Sequence, residues 1–488
     1  MEELVTKTVE EPDGRGAAVD VGAGDGVRAG VRPGLTLAAV AVVQFMVSLD
    51  LSVVNVGLPE IADGLNFSGV GLTWVIHAYA LTFGGLLLLG GRTADRYGRK
   101  RVLLAGLALF GLASLSGGFA QSPAQLVAAR AVQGIGAAAL SPAALALLTT
   151  TFPTGRARVR AFGVWSAVNA AGGALGVLIG GVLTQYAGWR WLMFVNVPIA
   201  AGALLLSWRG VGADRPHPGG GRPDILGAVL VTSGMLLLVF GVVRTDRYGW
   251  GSPVTLTTLT AAVALLAAFL QVERTTSREP LIRLGLFTNR SVLGANAFNL
   301  LAGAAMASAF YFISLYLQGV LGHGAARTGL EFLPLAVGVI TGSALAVKLA
   351  HRFPPRTLLP LGGTLAATGF AWASLITPHG SYLTDILGPA LLAGTGFGFC
   401  LAPAVSLATE GVSSSEAGTA SALLNSSRQI GASLGLTALV TTAAHHTGPV
   451  VTAESLTEGY ALGLRLGAGL LAAGVVVAMT VLRGDRSD

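Results

Sequence analysis

The sequence predicts an all-α polytopic membrane protein with fourteen transmembrane helices. Three observations predict this. The 488 residues are 52% hydrophobic and only 11% charged, with a mean hydropathy of +0.68, whereas soluble domains carry roughly 25% charge. Residues 64–91, 102–129, 161–189, 248–272, 291–326, 357–384 and 429–453 contain no Asp, Glu, Lys or Arg, and each run exceeds the ~20 residues a membrane-crossing helix needs. Finally, the basic residues gather in alternate connecting loops.

The elements follow in order along the chain. Residues 1–33 are Gly-rich and mixed in charge. They lack the basic, apolar and small-residue order of a signal peptide, so a disordered cytoplasmic tail is expected. Spans one to six fall at about 35–57, 72–91, 102–121, 124–148, 161–183 and 190–208, a first bundle over 34–208. The stretch "GADRPHPGGGRPD" (212–224) is rich in Pro and Gly, which marks 209–224 as a cytoplasmic linker. Two inserted spans, about 225–243 and 253–272, occupy 225–272, and a cytoplasmic loop covers 273–290. The last six spans lie at about 291–316, 328–349, 357–377, 385–409, 418–443 and 461–482, a second bundle over 291–482, and 483–488 form a short cytoplasmic tail.

Sidedness comes from charge. With the amino terminus inside, 25 of the 31 Lys and Arg fall on cytoplasmic segments, 5 on outer ones, and Arg130 within a helix. By the positive-inside rule both termini are cytoplasmic. Topology therefore accounts for the net charge of +7, and no nucleic-acid partner is implied. The single cysteine, Cys400, excludes an internal disulfide and reads as a small core residue.

Charge inside the membrane is costly and marks function. Asp50 lies in "SLDLSVVNVGLP" (48–59), the stretch that ends span one, and Arg130 opens "RAVQGIGAA" (130–138) in span four. Span one enters near residue 35, which puts Asp50 ~22 Å along at 1.5 Å per residue. That is ~8 Å below the outer face of a ~30 Å hydrocarbon core. Span four enters from the other side near residue 124, which puts Arg130 ~9 Å below the same face. The two are expected to interact, directly or through water. His77 lies at a similar depth and reads as an outer-end hydrogen bonder; Glu331 lies near the outer mouth of span ten.

The turn between spans two and three, "GRTADRYGRKRVL" (91–103), resembles the loop signature of the major facilitator superfamily, G-x-L-a-D-r-x-G-r-k-x-x-l. Gly91, Asp95, Arg96, Gly98, Arg99, Lys100 and Leu103 match, and Thr93 departs. Glycines let the helices turn and pack closely. Asp95 can pair with a basic residue or a helix N-terminus on a neighbouring span, forming a latch that closes in one conformation and opens in another. A degenerate echo, "VKLAHRFPPR" (347–356), keeps Leu349, Arg352 and Arg356 but has His351 and Pro354 in place of Asp and Gly. It suggests two related halves, as in transporters built from repeats.

The stretch around Asp50 resembles l-D-x-T-v-v-N-v-A-L-P of the superfamily's drug:proton antiporters, with Ser52 and Gly57 as departures, and that around Arg130 resembles R-x-x-q-G-x-g-a. In span five, "GVWSAVNAAGGALGVLIGG" (163–181) is similar to the antiporter pattern g-x8-G-x3-G-P-x2-G-G. Gly163, Gly172, Gly176, Gly180 and Gly181 are in register as a helix-packing face, and Val177 stands in the proline's place. "GWRWLMFVNVP" (188–198) and "AGTASALLNSSRQIGASLG" (417–435) resemble the sixth and penultimate spans of the fourteen-helix branch. The resemblance thus covers about residues 35–482, and it implies the major facilitator fold, two six-helix bundles with spans seven and eight inserted between them.

It implies a proton-coupled antiporter that exports small, largely apolar drugs, antibiotics or metabolites across the bacterial plasma membrane by alternating access. Asp50 and Arg130 would carry the coupling, because burial favours a protonated acid and a nearby guanidinium favours the ionised one. Asn55, Gln133, Trp165 and Asn169 are candidate cavity liners. One proton per cycle, a neutral or singly charged substrate, no cofactor beyond protons, a monomeric state and partnership with the lipid bilayer are expected. A proton-coupled importer of a small nutrient on the same fold is the alternative, and Val177 lends it weight. A receptor or scaffold would need a soluble domain, which the sequence does not offer. No phosphate loop, HExxH motif or catalytic triad points to an enzyme. His445 and His446 are adjacent, which splays them on a helix, so no metal site is expected.

Overall fold

The computed structural model describes residues 33–67, 71–152, 156–212, 224–275, 281, 284–412, 417–448 and 450–482. The tail at 1–32, most of the 209–224 linker and the tail at 483–488 lie outside the described residues. The described residues form fourteen long helical runs: α1 (Pro33–Leu65), α2 (Trp74–Tyr97), α3 (Arg99–Gly118), α4 (Pro123–Thr151), α5 (Arg156–Ala187), α6 (Trp191–Gly210), α7 (Ile225–Tyr248), α8 (Pro253–Thr275), α9 (Arg290–Val320), α10 (Ala325–Leu349), α11 (Pro355–Ala373), α12 (Tyr382–Ala408), α13 (Ala417–Thr447) and α14 (Ala453–Val481). Twelve of them are long and apolar enough by themselves to cross a membrane. The other two are α11 and α13. The latter carries Asn425, Arg428 and Gln429 together with many Ser and Thr residues, and such polarity is tolerable because α13 packs between other helices.

Side-chain caps fix several helix starts. Ser122 accepts from Gln125 N at α4, Asp224 from Gly227 N at α7, and Asn289 from Ser291 N and Val292 N at α9; Thr452 forms a capping box at α14. These satisfy amides that the helix itself leaves open. Prolines sit inside α1, α4, α11 and α12, tolerated because neighbouring helices cover the freed carbonyls.

The pairing repeats. In the first half α1 packs on α5 and α6, α2 on α4, and α3 on α4 and α6. In the second, α9 packs on α13 and α14, α10 on α12, and α11 on α12 and α14. Each of these contacts in the first half therefore has a counterpart eight helices later. The halves meet at two seams, α2 against α13 and α5 against α10. The α7–α8 pair lies over the first seam, touching α2 and α13. Trp74 and Phe240 meet edge to face there at 6.0 Å.

Glycine sets how closely the helices approach. A Cβ on Gly172 or Gly176 would stand 2.8 Å from the carbonyl oxygens of Phe45 or Leu49 on α1, and one on Gly180 would stand 2.5 Å from that of Val53. Gly181 meets Ala325 of α10 instead, and Val177 presents its carbonyl to Gly329 of α10. Gly163, expected on the packing face, has open space where a Cβ would go.

Several hydrogen bonds join the halves at the end remote from the basic turns or near mid-height. Ser314 donates to Asn55 O, Gln318 to Val56 O and Ala326 N to Gln185, while Ser426 donates to Gly84 O. Toward the basic end, Gly163 is open and Val164 is exposed. The bonds from Ser314, Gln318 and Ala326 N tie the halves together at the end remote from the basic turns.

Candidate functional site: a buried charge cluster

Asp50 is fully buried, and five helices converge on it. Arg130 of α4 reaches Asp50 Oδ2 through Nη1 at 2.7 Å. The other carboxylate oxygen accepts from Asn196 Nδ2 of α6 at 2.8 Å and from Gln133 Nε2 at 3.3 Å. Arg130 is itself held in place: Nη1 also donates to Gln133 Oε1 at 3.0 Å, and Nε donates to the Val75 carbonyl of α2 at 3.1 Å. The Tyr79 ring lies under the guanidinium, 4.5 Å from its centroid. Gln133 closes the cluster by donating to Ser114 Oγ of α3.

Local sequence makes this geometry. Arg130 and Gln133 stand three residues apart, hence on one helix face. Gly134 lets α4 approach α2 closely, because a Cβ there would stand 2.5 Å from the Tyr79 carbonyl oxygen. Helix α6 is interrupted at Val195, three residues before Pro198, and Asn196 starts the segment that resumes. An isolated ionised carboxylate could not be kept in such a place. Here both oxygens have donors, and Arg130 adds an opposite charge.

Gln133, expected as a cavity liner, is fully buried inside this cluster. Asn55 is 8% exposed and donates to Leu51 O on its own helix, while its carbonyl accepts from Ser314. Trp165 is half-buried in the first-half core, and its Nε1 has no partner. Asn169 is exposed and accepts from Gln44 Nε2 at 2.7 Å and Ser48 Oγ at 2.6 Å. His77 is buried on the α2–α13 seam and pairs with Thr437 at 2.8 Å, away from Asp50. Glu331 binds Arg327 Nε at 3.0 Å and His323 Nδ1 at 2.8 Å.

Asn196, Ser114 and Tyr79 were not singled out from sequence. Asn196 had a usable signal, because the depth arithmetic that matched Asp50 to Arg130 puts Asn196 ~9 Å below the same face. Ser114 and Tyr79 carry no such mark.

At the α2–α3 turn, Gly98 takes φ 98°, a value open to glycine. Asp95 pairs with Arg99 at 3.1 Å, its side chain 61% exposed. Arg96 lies over Tyr97 at 5.7 Å. Lys100 donates to the Trp208 and Val211 carbonyls at the end of α6, at 2.8 and 2.5 Å. Gly91 is in ordinary contact with Pro142; the close approach is made by Gly90, which abuts the Ala138 carbonyl.

The sequence matches the Major Facilitator Superfamily over residues 40–436. A cephamycin export protein of Amycolatopsis lactamdurans is 44% identical over 83% of this chain and 84% of its own length. A puromycin resistance protein of Streptomyces alboniger is 40% identical over 91% and 90%, and a lincomycin resistance protein of Streptomyces lincolnensis 34% identical over 93% and 92%. Among solved structures, a peptide transporter crystallised with sulfate aligns with a TM-score of 0.67 at 16% identity, covering 92% of this chain and 93% of the other. A bacterial homologue of the human lysosomal transporter Spinster aligns at 0.62 and 20% identity, covering 92% and 96%. These two likenesses concern the fold alone. With the match running through both halves, and through the helices that hold Asp50 and Arg130, this chain belongs to the Major Facilitator Superfamily.

Proposed function

We propose that the chain is a proton-coupled exporter of small, largely apolar antibiotics or metabolites in the bacterial plasma membrane. The observation that carries the coupling is the Asp50–Arg130 pair, 2.7 Å apart and shut away from solvent. The relatives named for export and resistance support the direction of transport. The basic residues gathered on one set of loops support cytoplasmic termini, which puts the bonds from Ser314 and Gln318 between the halves toward the outer face.

Protonation of Asp50 removes the charge that Arg130 answers. The guanidinium keeps the Val75 carbonyl, Gln133 Oε1 and the Tyr79 face, and the carboxylic acid keeps the Asn196 and Gln133 amides. The pair can therefore loosen without leaving either group stranded. Loosening on one side of the transport cycle and re-forming on the other couples one proton to the rocking of the halves. No cofactor is needed, and a single chain suffices.

Everted membrane vesicles with an acidified lumen and a pH-sensitive dye test this. Addition of a substrate from an antibiotic panel releases protons from vesicles carrying the wild type, and Asp50→Asn abolishes the release. Release that survives Asp50→Asn moves the coupling elsewhere. Gradient-driven uptake in right-side-out vesicles would replace export with import.

A further inference from the structure

Arg428 of α13 is the second arginine deep in a membrane helix, about 16 Å from the basic end at 1.5 Å per residue. Unlike Arg130, it has no carboxylate. Its hydrogen bond is to Asn425 Oδ1 at 3.3 Å, and among the described residues it makes no ion pair. A charge at that depth is retained for a reason.

Its place in the fold says where it stands. In α5, Gly172 and Gly176 receive Phe45 and Leu49 of α1; in α13, Gly431 and Gly435 receive Leu300 and Ala304 of α9. Three residues before the first glycine of each pair are Asn169 and Arg428. The internal repeat therefore superimposes Arg428 on Asn169, an exposed polar residue of a membrane-depth helix. The neighbours of Arg428 touch the other half: Ser426 donates to Gly84 O, and Gly84 faces the Gln429 side chain. Arg428 is thus near mid-height beside the α2–α13 seam, where transporters built from repeats hold substrate. The surroundings are rich in donors. Asn425 is exposed, and the Gln429 Nε2, on a residue only 6% exposed, has no partner.

We infer that Arg428, helped by Gln429 and Asn425, recognises a carboxylate or comparable single anionic group on the transported molecule. A guanidinium presents paired N–H donors that match a carboxylate, and such a ligand supplies the charge partner the fold withholds. This deepens the export reading and rests on it for the word transported; the binding itself is tested apart from export.

The purified protein in nanodiscs is titrated with fluorescein, which carries a free carboxylate, and with rhodamine 123, a cation on the same xanthene frame whose carboxyl is esterified. Fluorescence anisotropy should give fluorescein the tighter binding by roughly 10-fold or more. Arg428→Gln should erase that preference, and Arg428→Lys should keep most of it. If Arg428→Gln does not fold, displacement of fluorescein from the wild type decides instead: salicylate should compete and salicylamide should not. Equal binding of the two dyes, no binding of either, or a preference that survives Arg428→Gln overturns the inference. Proton release from vesicles is read separately. Its absence alongside a fluorescein preference removes the coupling but leaves the anion site; its presence without that preference does the reverse.

Discussion

On α1, Leu49 receives Gly176 of α5 and the next residue is Asp50; on α9, Ala304 receives Gly435 of α13 and the next residue is Ala305. Both next residues are fully buried. The halves therefore use one plan of backbone contact, yet one buries a carboxylate where the other buries a methyl group. What separates them is the supply of donors. Around Asp50 stand Arg130, Gln133 and Asn196; Ala305 sits in an apolar cluster with Phe298, Ala302 and Ala309. Helix pairing and site chemistry are thus separable: glycine spacing sets the first, and a handful of polar residues sets the second.

The largest effect should come from splitting the ion pair. Arg130→Gln leaves the Asp50 carboxylate buried and unanswered, and should cost about 3–5 kcal/mol of stability, with transport at background. Combining it with Asp50→Asn should recover most of the thermal stability and none of the transport. Recovery of transport in the double variant would break the assignment. Placing the acid in the other half, Ala305→Asp, should destabilise by several kcal/mol, as a charge at membrane depth without donors does; a normal unfolding midpoint would mean that the halves differ less than their donors suggest.

Asn196 sharpens the comparison further. Asn196→Leu takes away the shorter of the two hydrogen bonds to Asp50 Oδ1 and leaves Gln133 alone on that oxygen. It should lower the unfolding midpoint by the equivalent of about 1–3 kcal/mol and reduce transport; an unchanged midpoint would mean that the donors around Asp50 matter less than the backbone plan. The smallest effect on stability belongs to Asp95→Asn. An exposed pair such as Asp95–Arg99 contributes at most about 1 kcal/mol, so insertion and melting should hardly change. Transport should nevertheless fall if the turn is a latch, and full activity would reduce it to a topological anchor.

The spans and the meeting of Asp50 with Arg130 were legible in the sequence because both depend on depth, which a fixed rise per residue converts from position. What depth does not give is direction around a helix axis. Gln133 was therefore expected in a cavity although it faces the same way as Arg130, and Asn55 was expected there although its carbonyl accepts from Ser314 of the other half. Gly163 matched the spacing of the packing glycines but lies beyond the reach of α1. Asn196 escaped because its significance depends on α6 passing beside α1, a fact of tertiary packing.

The α7–α8 pair covers the α2–α13 seam and, among the described residues, has no counterpart over α5–α10. The molecule consequently has a shielded flank and a bare one. Seen from the lipid, the first presents two extra helices before the seam is reached. The second presents α5 and α10 themselves, so the bilayer lies directly against the helices that join the halves.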